Sequence, residues 1–165
     1  MSWGKTKDLG AYILASLAAA SVAVTAGGSG DETEVNGLWL DTKGFESLEV
    51  ALAFTTTLGA GETLSFAANM QDADDASGTG AADVSTNHLS ALASTVFATG
   101  GAGGSTEVGA AQVGVDLTML KRFVRIQFTP DLSAANTDTA EVNAAYILGG
   151  AKYPPANAAR VNLRA

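Results

Sequence analysis

The stretch Glu46-Ser-Leu-Glu-Val-Ala-Leu-Ala-Phe-Thr55 decides the fold class. Leu48, Val50, Leu52 and Phe54 fall on one side of an extended chain, and Ser47, Glu49, Ala51, Ala53 and Thr55 on the other. In a pleated strand successive side chains point to opposite faces, so this period of two marks a half-buried antiparallel strand; a helix would repeat near 3.6. Leu64, Phe66, Ala68 and Met70 repeat the pattern beyond the turn Leu58-Gly-Ala-Gly61, a spacing that predicts a hairpin. Arg122, Val124, Ile126 and Phe128 alternate in 121–129, where Pro130 is expected to end the run because it has no N–H for a ladder. Ala140, Val142, Ala144, Tyr146 and Leu148 make the last strand, closed by Gly149 and Gly150.

Shorter candidate strands are 21–26, 37–42, 83–89 and 108–116, and the Gly- and Asp-rich segments 72–82, 99–106 and 131–138 read as loops. Only 7–20 offers a helical spacing, through Leu9, Ile13 and Leu17, and the same residues also suit an extension of the first strand, so the segment is left open between helix and strand. Many strands divided by turn chemistry predict an all-β chain: an antiparallel β-sandwich or jelly-roll-like single domain with extended arms at both termini. Residues 1–20 are expected as an N-terminal arm or packing segment, 21–150 as the sandwich and 151–165 as an extended tail.

Of the 165 residues 47% are hydrophobic, but 32 are Ala, so the core is thin unless neighbours complete it. A net charge of −8 argues against a nucleic-acid binder, which needs a basic surface to displace counterions. With no Cys there is no disulfide framework, thiolate metal site or Cys nucleophile, and one His makes His-based zinc or acid–base chemistry unexpected. No cofactor and no catalytic activity are expected. All 17 acids lie between Asp8 and Glu141, whereas the ends carry Lys5 and Lys7, and Lys152, Arg160 and Arg164. An acidic body with basic ends predicts tails that lie on another acidic surface, against the plainer reading of solubilising charge.

Residues 9–30 carry no charge and follow two lysines, and Ala23-Val-Thr-Ala26 resembles a small-residue export cleavage site. The stretch is diluted by Ala, Ser, Thr and Gly, too weakly apolar for a membrane span, and is expected to be an uncleaved buried segment.

Asp72, Asp74 and Asp75 form the best acidic cluster, a candidate for Ca²⁺ in its oxygen chemistry but without the ligand spacing of an EF-hand; an Asx-rich turn is the preferred reading and no metal is expected. Asp83, His88 and the many hydroxyl residues have no nucleophile elbow around any Ser, so they do not make a hydrolase. Glycines 100, 101, 103 and 104 lack the Lys-Ser/Thr of a phosphate loop and read as a tight inter-strand turn. Lys121 and Arg125 are candidates for inter-subunit ion pairs, while Arg122 is expected to snorkel or pair with an acid. Trp3, Trp39 and Tyr153 stand near element ends or in tails as edge packing or interface anchors.

Asn36–Val50, Leu58–Ser65, Gln71–Asp75, Leu120–Pro130 and Tyr146–Ala156, taken in order, resemble the small capsid decoration (cement, head-stabilising) proteins of tailed bacteriophages. That resemblance implies a structural virion protein on the outer surface of an icosahedral head. It would be a homotrimer that bridges major capsid protein subunits and has no active site, no nucleic-acid partner and no membrane partner. Two readings of other kinds compete: a secreted or surface carbohydrate-binding β-sandwich, Ca²⁺-dependent through Asp72, Asp74 and Asp75, and another phage part such as a tail tube or head–tail connector.

Overall fold

The computed structural model describes residues 9–85, 92–134 and 137–153. After a single 3₁₀ turn at Leu9–Ala11, ten strands follow: β1 (Leu14–Thr25), β2 (Val35–Asn36), β3 (Leu40–Asp41), β4 (Ser47–Leu58), β5 (Thr63–Ala73), β6 (Ala82–Asp83), β7 (Leu92–Thr99), β8 (Ser105–Asp116), β9 (Phe123–Leu132) and β10 (Thr139–Gly149). One sheet has the order β1-β10-β4-β8; in the other β9 pairs with β2, β3 and β5, and β5 also pairs with β6 and β7. Every pairing is antiparallel. With β2 and β3 counted as one interrupted strand and the short β6 set aside, the sheets read 1-8-3-6 and 2-7-4-5. That is the double Greek key of a jelly roll, so the chain is an antiparallel β-sandwich of jelly-roll topology.

The alternation in 46–55 is visible because β4 is the most regular position in the molecule. It pairs without a register break to β10 on one side and to β8 on the other. Leu48, Val50, Leu52, Phe54 and Leu58 are all buried on its inner face. The same fact overturns the predicted hairpin. Both edges of β4 are taken, so β5 has no edge to join and the turn carries the chain into the opposite sheet. Gly61, at φ 76°, makes that corner, and its N–H donates to the Gly100 carbonyl at 3.0 Å. Phe54 and Phe66 therefore face each other across the core, with ring centroids 5.7 Å apart.

The structure also decides the open reading of 7–20 and changes further expectations. Residues 14–20 belong to β1 and not to a helix, and the sandwich begins at Leu14, inside the segment expected to end at residue 20. Register shifts between Leu17 and Ala19 and between Ala19 and Val22 bulge this strand and scramble its period of two. Pro130 does not end its strand; it pairs with Phe66 inside β9. Its carbonyl accepts the Glu32 N–H at 2.9 Å on the far side from β5, so the missing N–H falls where the short β2 has already ended. The segment 37–42 is strand only at Leu40–Asp41, because Gly37 donates to the Ile126 carbonyl and Leu38 then turns to the Ala18 carbonyl of β1, both at 2.8 Å. Of the candidate 83–89, Asp83 is strand, as the end of β6, and Val84 and Ser85 are not; 86–91 lie outside the described residues. β7 has no counterpart among the predicted strands; Ser94 at φ 46° and two register shifts against β5 break its alternation.

Candidate functional site

The jelly roll gives the molecule two unlike ends. At one, the β1–β2, β4–β5, β7–β8 and β9–β10 connections meet. Ala26 N–H donates to the Asp138 carbonyl at 3.0 Å, Gly59 N–H to Asp138 Oδ1 at 2.9 Å, and Gly100 N–H to the Glu62 carbonyl at 2.8 Å. At the other, the chain enters before β1 and leaves after β10. There Ala151 N–H reaches the Tyr12 carbonyl at 3.4 Å, Lys152 N–H the Gly44 carbonyl at 2.9 Å, and Leu117 N–H the Glu46 carbonyl at 3.1 Å.

Charge divides along the same axis. The half nearer the loops holds Asp31, Glu32, Glu34, Glu62, Glu107, Asp131, Asp138 and Glu141 and, among the described residues, no base. The terminal half holds the other eight described acids together with Lys43, Lys121, Arg122, Arg125 and Lys152. Twelve-residue strands span about 40 Å, several screening lengths at physiological salt, so the two ends present separate fields to a partner.

Three of the exposed large apolar side chains stand at the terminal end, while Val96 and Val108 are exposed in the loop half. Met119 is 87% exposed and Tyr153 85%, and Tyr12 is also exposed. Met119 and Lys152 line one open cleft of about 550 Å³, with Glu46 and Thr118. The turn that carries Met119 is fixed on both flanks. Leu117 is buried, Leu120 packs on the core and donates its N–H to the Leu117 carbonyl at 3.3 Å, and Asp116 Oδ1 accepts the Thr118 N–H at 2.9 Å. Met119 itself sits at φ 75°, a backbone region that bulky side chains rarely occupy. On the outer face of the four-stranded sheet, Ala51 and Ala53 pair with Ala145, Asn143, Gln112 and Ala110, giving a flat, side-chain-poor surface edged by exposed Leu17 and Val108.

The basic interface candidates Lys121 and Arg125 are turned inward to their own chain. Lys121 Nζ lies 3.2 Å from Asp74 Oδ1 and donates to the Gly80 carbonyl at 2.7 Å, while its N–H donates to Asp72 Oδ2 at 3.1 Å. Two of the three carboxylates read as Ca²⁺ candidates thus serve Lys121. Asp75, the third, accepts from the Ser77 and Thr79 N–H groups at 2.8 and 3.1 Å and from the Thr79 hydroxyl at 2.7 Å. The three are therefore divided between two hydrogen-bonding tasks, and no group of three or more acidic or His side chains converges as a metal cluster among the described residues. Arg125 donates to Gln71 Oε1 at 2.7 and 3.0 Å and lies over the Trp39 ring, 4.7 Å from its centroid. Gly78 approaches the same ring so closely that a Cβ there would stand 2.9 Å from Cζ2 and Nε1. Trp39 is half-buried, held between Arg125 and Gly78 of its own chain. Arg122 forks onto Asp41 as expected, at 2.7 and 2.9 Å, and that hydrogen-bonded pairing holds the guanidinium further toward its charged form. Lys152 lies 4.0 Å from Glu46, and Trp3, Lys5, Lys7, His88, Arg160 and Arg164 fall outside the described residues. The 99–106 turn is a tight corner: a Cβ on Gly100 would collide with the Gly59 carbonyl.

The hydrogen bond from the Thr79 hydroxyl, followed by those from the Thr79 and Ser77 N–H groups, holds the Asp75 carboxyl below its usual range. A depressed folded value stabilises above the unfolded value of 3.8 and is lost as pH falls through the folded one. Exchange protection of the Ser77 and Thr79 amides is accordingly expected to hold from neutral pH down to 3.8, to weaken below it and to be lost as pH falls through the lowered folded value. In Asp75→Ala the two amides are expected to exchange freely at every pH, and protection equal to the parent would show that the carboxylate is not their acceptor.

No protein-family model matches this sequence, and comparison with curated proteins finds no match. Among solved structures, the chain overlaps that of the infectious bursal disease virus Gx strain at a TM-score of 0.45 and 10% identity, over 87% of this chain and 34% of the viral one. It overlaps the VP2 subviral particle of the same virus at 0.45 and 9% identity, over 86% and 32%. This chain spans about a third of the length of those viral chains. A C-terminal family 22 carbohydrate binding module of Clostridium thermocellum Xyn10B overlaps at 0.32 and 10% identity, over 87% and 97%.

Proposed function

We propose that this chain is a structural virion protein of a tailed bacteriophage. In this reading it binds the outer surface of an icosahedral head and stabilises it by bridging major capsid protein subunits, by adhesion and without a catalytic step. One observation carries the reading: the surface offers contact area. Met119, Tyr153 and Tyr12 stand exposed at one end, and a broad outer sheet face is lined by alanines. Aromatic residues and Met are enriched where proteins bind proteins. The ordered resemblance of residues 36–156 to decoration proteins supplies the partner class, and the basic ends supply arms for an acidic neighbour.

The reading includes self-association into a homotrimer, whose mass in solution is then three times 16.6 kDa. Binding only the folded form also makes the bound protein more resistant to unfolding than the free one. The export reading has a structural cost: cleavage after Ala26 removes the whole of β1, the partner of β10 from Leu14 to Thr25.

The test is co-sedimentation with heads assembled from the major capsid protein of the same genome. Full-length protein is expected to saturate the heads and raise their thermal stability. Deleting residues 1–8 or 154–165 is expected to lower occupancy while the β circular dichroism signal stays intact. Absence of binding by the full-length chain overturns the reading, and undiminished occupancy after both deletions removes the arms from it.

A further inference from the structure

The adhesion reading leaves open which end meets the shell. Three observations bear on it. Met119 and Tyr153, the two most exposed large apolar side chains described, both stand at the terminal end. Met119 is held outward by a turn anchored through Leu117 and Leu120, at a left-handed φ of the kind that collects at binding and switch positions. An anchor fixed before binding loses little freedom on docking. The loop half, by contrast, carries eight carboxylates and no described base, a composition depleted from the cores of protein interfaces.

Resting on the proposed function, we propose that the terminal end seats on an anionic protein shell, with Met119 and Tyr153 as its apolar anchors, and that the carboxylate-bearing loop end faces outward. Charge selects this orientation over the reverse. An anionic surface repels the loop half throughout. At the terminal end bases offset most of the acids, and Lys152, tied to Glu46 only at 4.0 Å, is placed beside Met119 to meet a carboxylate of the partner. Both chain termini leave from this end, so the basic residues of 1–8 and 154–165 start from the side that meets the shell.

The test uses the full chain and heads assembled from the major capsid protein of the same genome. Because the chain has no cysteine, single cysteines report which end is covered. Thr118→Cys, beside Met119, is expected to lose maleimide reactivity at least tenfold on binding, and Ser29→Cys, in the loop end, to keep it. The double variant Met119→Asn, Tyr153→Ser places a residue that tolerates positive φ at 119 and is expected to bind at least tenfold more weakly with a melting temperature no lower than the parent's. Glu32→Gln, at the loop end, is expected to bind as the parent does. Protection at Ser29→Cys with Thr118→Cys still reactive, or parental binding by the double variant, overturns the orientation while head binding itself stands. Failure of the parent to bind heads overturns the function and the orientation together.

Discussion

Phe66→Ala is expected to remove about 3–5 kcal/mol of stability, the range for truncating a fully buried phenylalanine. Phe66 has no exposed surface and stands in β5 between two other rings, Phe54 of β4 and Phe97 of β7, each with its centroid 5.7 Å away. Both contacts are tilted, the arrangement in which ring edges meet ring faces and add about 0.5–1.5 kcal/mol beyond area burial. The site is a poor one for collapse. On the sheet side Phe66 is pinned by pairing to Pro130 of β9 and Thr95 of β7, and across the core lies β4, locked on both edges. A domain of this size has about 5–15 kcal/mol in total, so the variant loses a large share of its margin. Urea denaturation is the measurement: the midpoint should fall steeply at little change in slope, and Phe66→Leu should recover more than half of the loss. A cost below about 1.5 kcal/mol for the alanine variant would mean that the three-ring contact across the sheets is not formed.

What the sequence shows of this fold follows from where the chain is regular. β4 and β10 are long, unbulged and buried on one face, so Leu48 to Phe54 and Ala140 to Leu148 announce themselves by period alone. β1 is equally long, but its alanines carry little contrast between faces and its two bulges shift the register twice, which erases the pattern that would distinguish it from a helix. The hairpin expected at residues 58–61 fails for a different reason. Turn chemistry specifies a reversal of direction but not whether the chain stays in its sheet; that is settled by β8 and β10 occupying both edges of β4, residues far along the chain. Of the candidate site, Arg122 with an acid was legible because a guanidinium on an apolar strand face needs a partner, and Asp41 supplies it. Lys121 and Arg125 were read as reaching outward because their own-chain partners, Asp74 and Gln71, lie 47 and 54 positions away. The strongest functional feature was the least legible. Met119, in Leu-Thr-Met-Leu, looks like core in the sequence, and only its positive φ and the anchoring of Leu117 and Leu120 on either side turn it to the surface.

Tyr146→Phe is expected to cost about 1–3 kcal/mol although it deletes a single oxygen. The Tyr146 side chain is wholly buried in β10, and its hydroxyl crosses the sandwich to the opposite sheet. There it donates to the Leu38 carbonyl at 2.9 Å and accepts the Ile126 N–H at 2.9 Å. Those two backbone groups sit where the edge strand is interrupted between β2 and β3, so the hydroxyl stands in for ladder bonds that this gap cannot make. With Phe in its place the buried Ile126 N–H loses its acceptor and the part-buried Leu38 carbonyl its donor. Water has little room to replace the hydroxyl, because Gly37 already approaches so closely that a Cβ would lie 2.9 Å from it. The same geometry fixes the pH dependence. Burial pushes the Tyr146 phenol far above its ordinary value of 10.0, against smaller opposing effects of the Ile126 hydrogen bond and the Arg125 charge. The folded protein then keeps this proton while the unfolded chain releases it near pH 10, so the stability from the protonated phenol is intact below about 10 and declines as pH rises beyond it. The gap between parent and Tyr146→Phe melting temperatures is therefore expected to be constant from neutral pH to about 9 and to narrow above 10. A gap that widens with alkalinity, or a phenylalanine variant as stable as the parent at pH 7, would show that the hydroxyl is not bridging the two sheets.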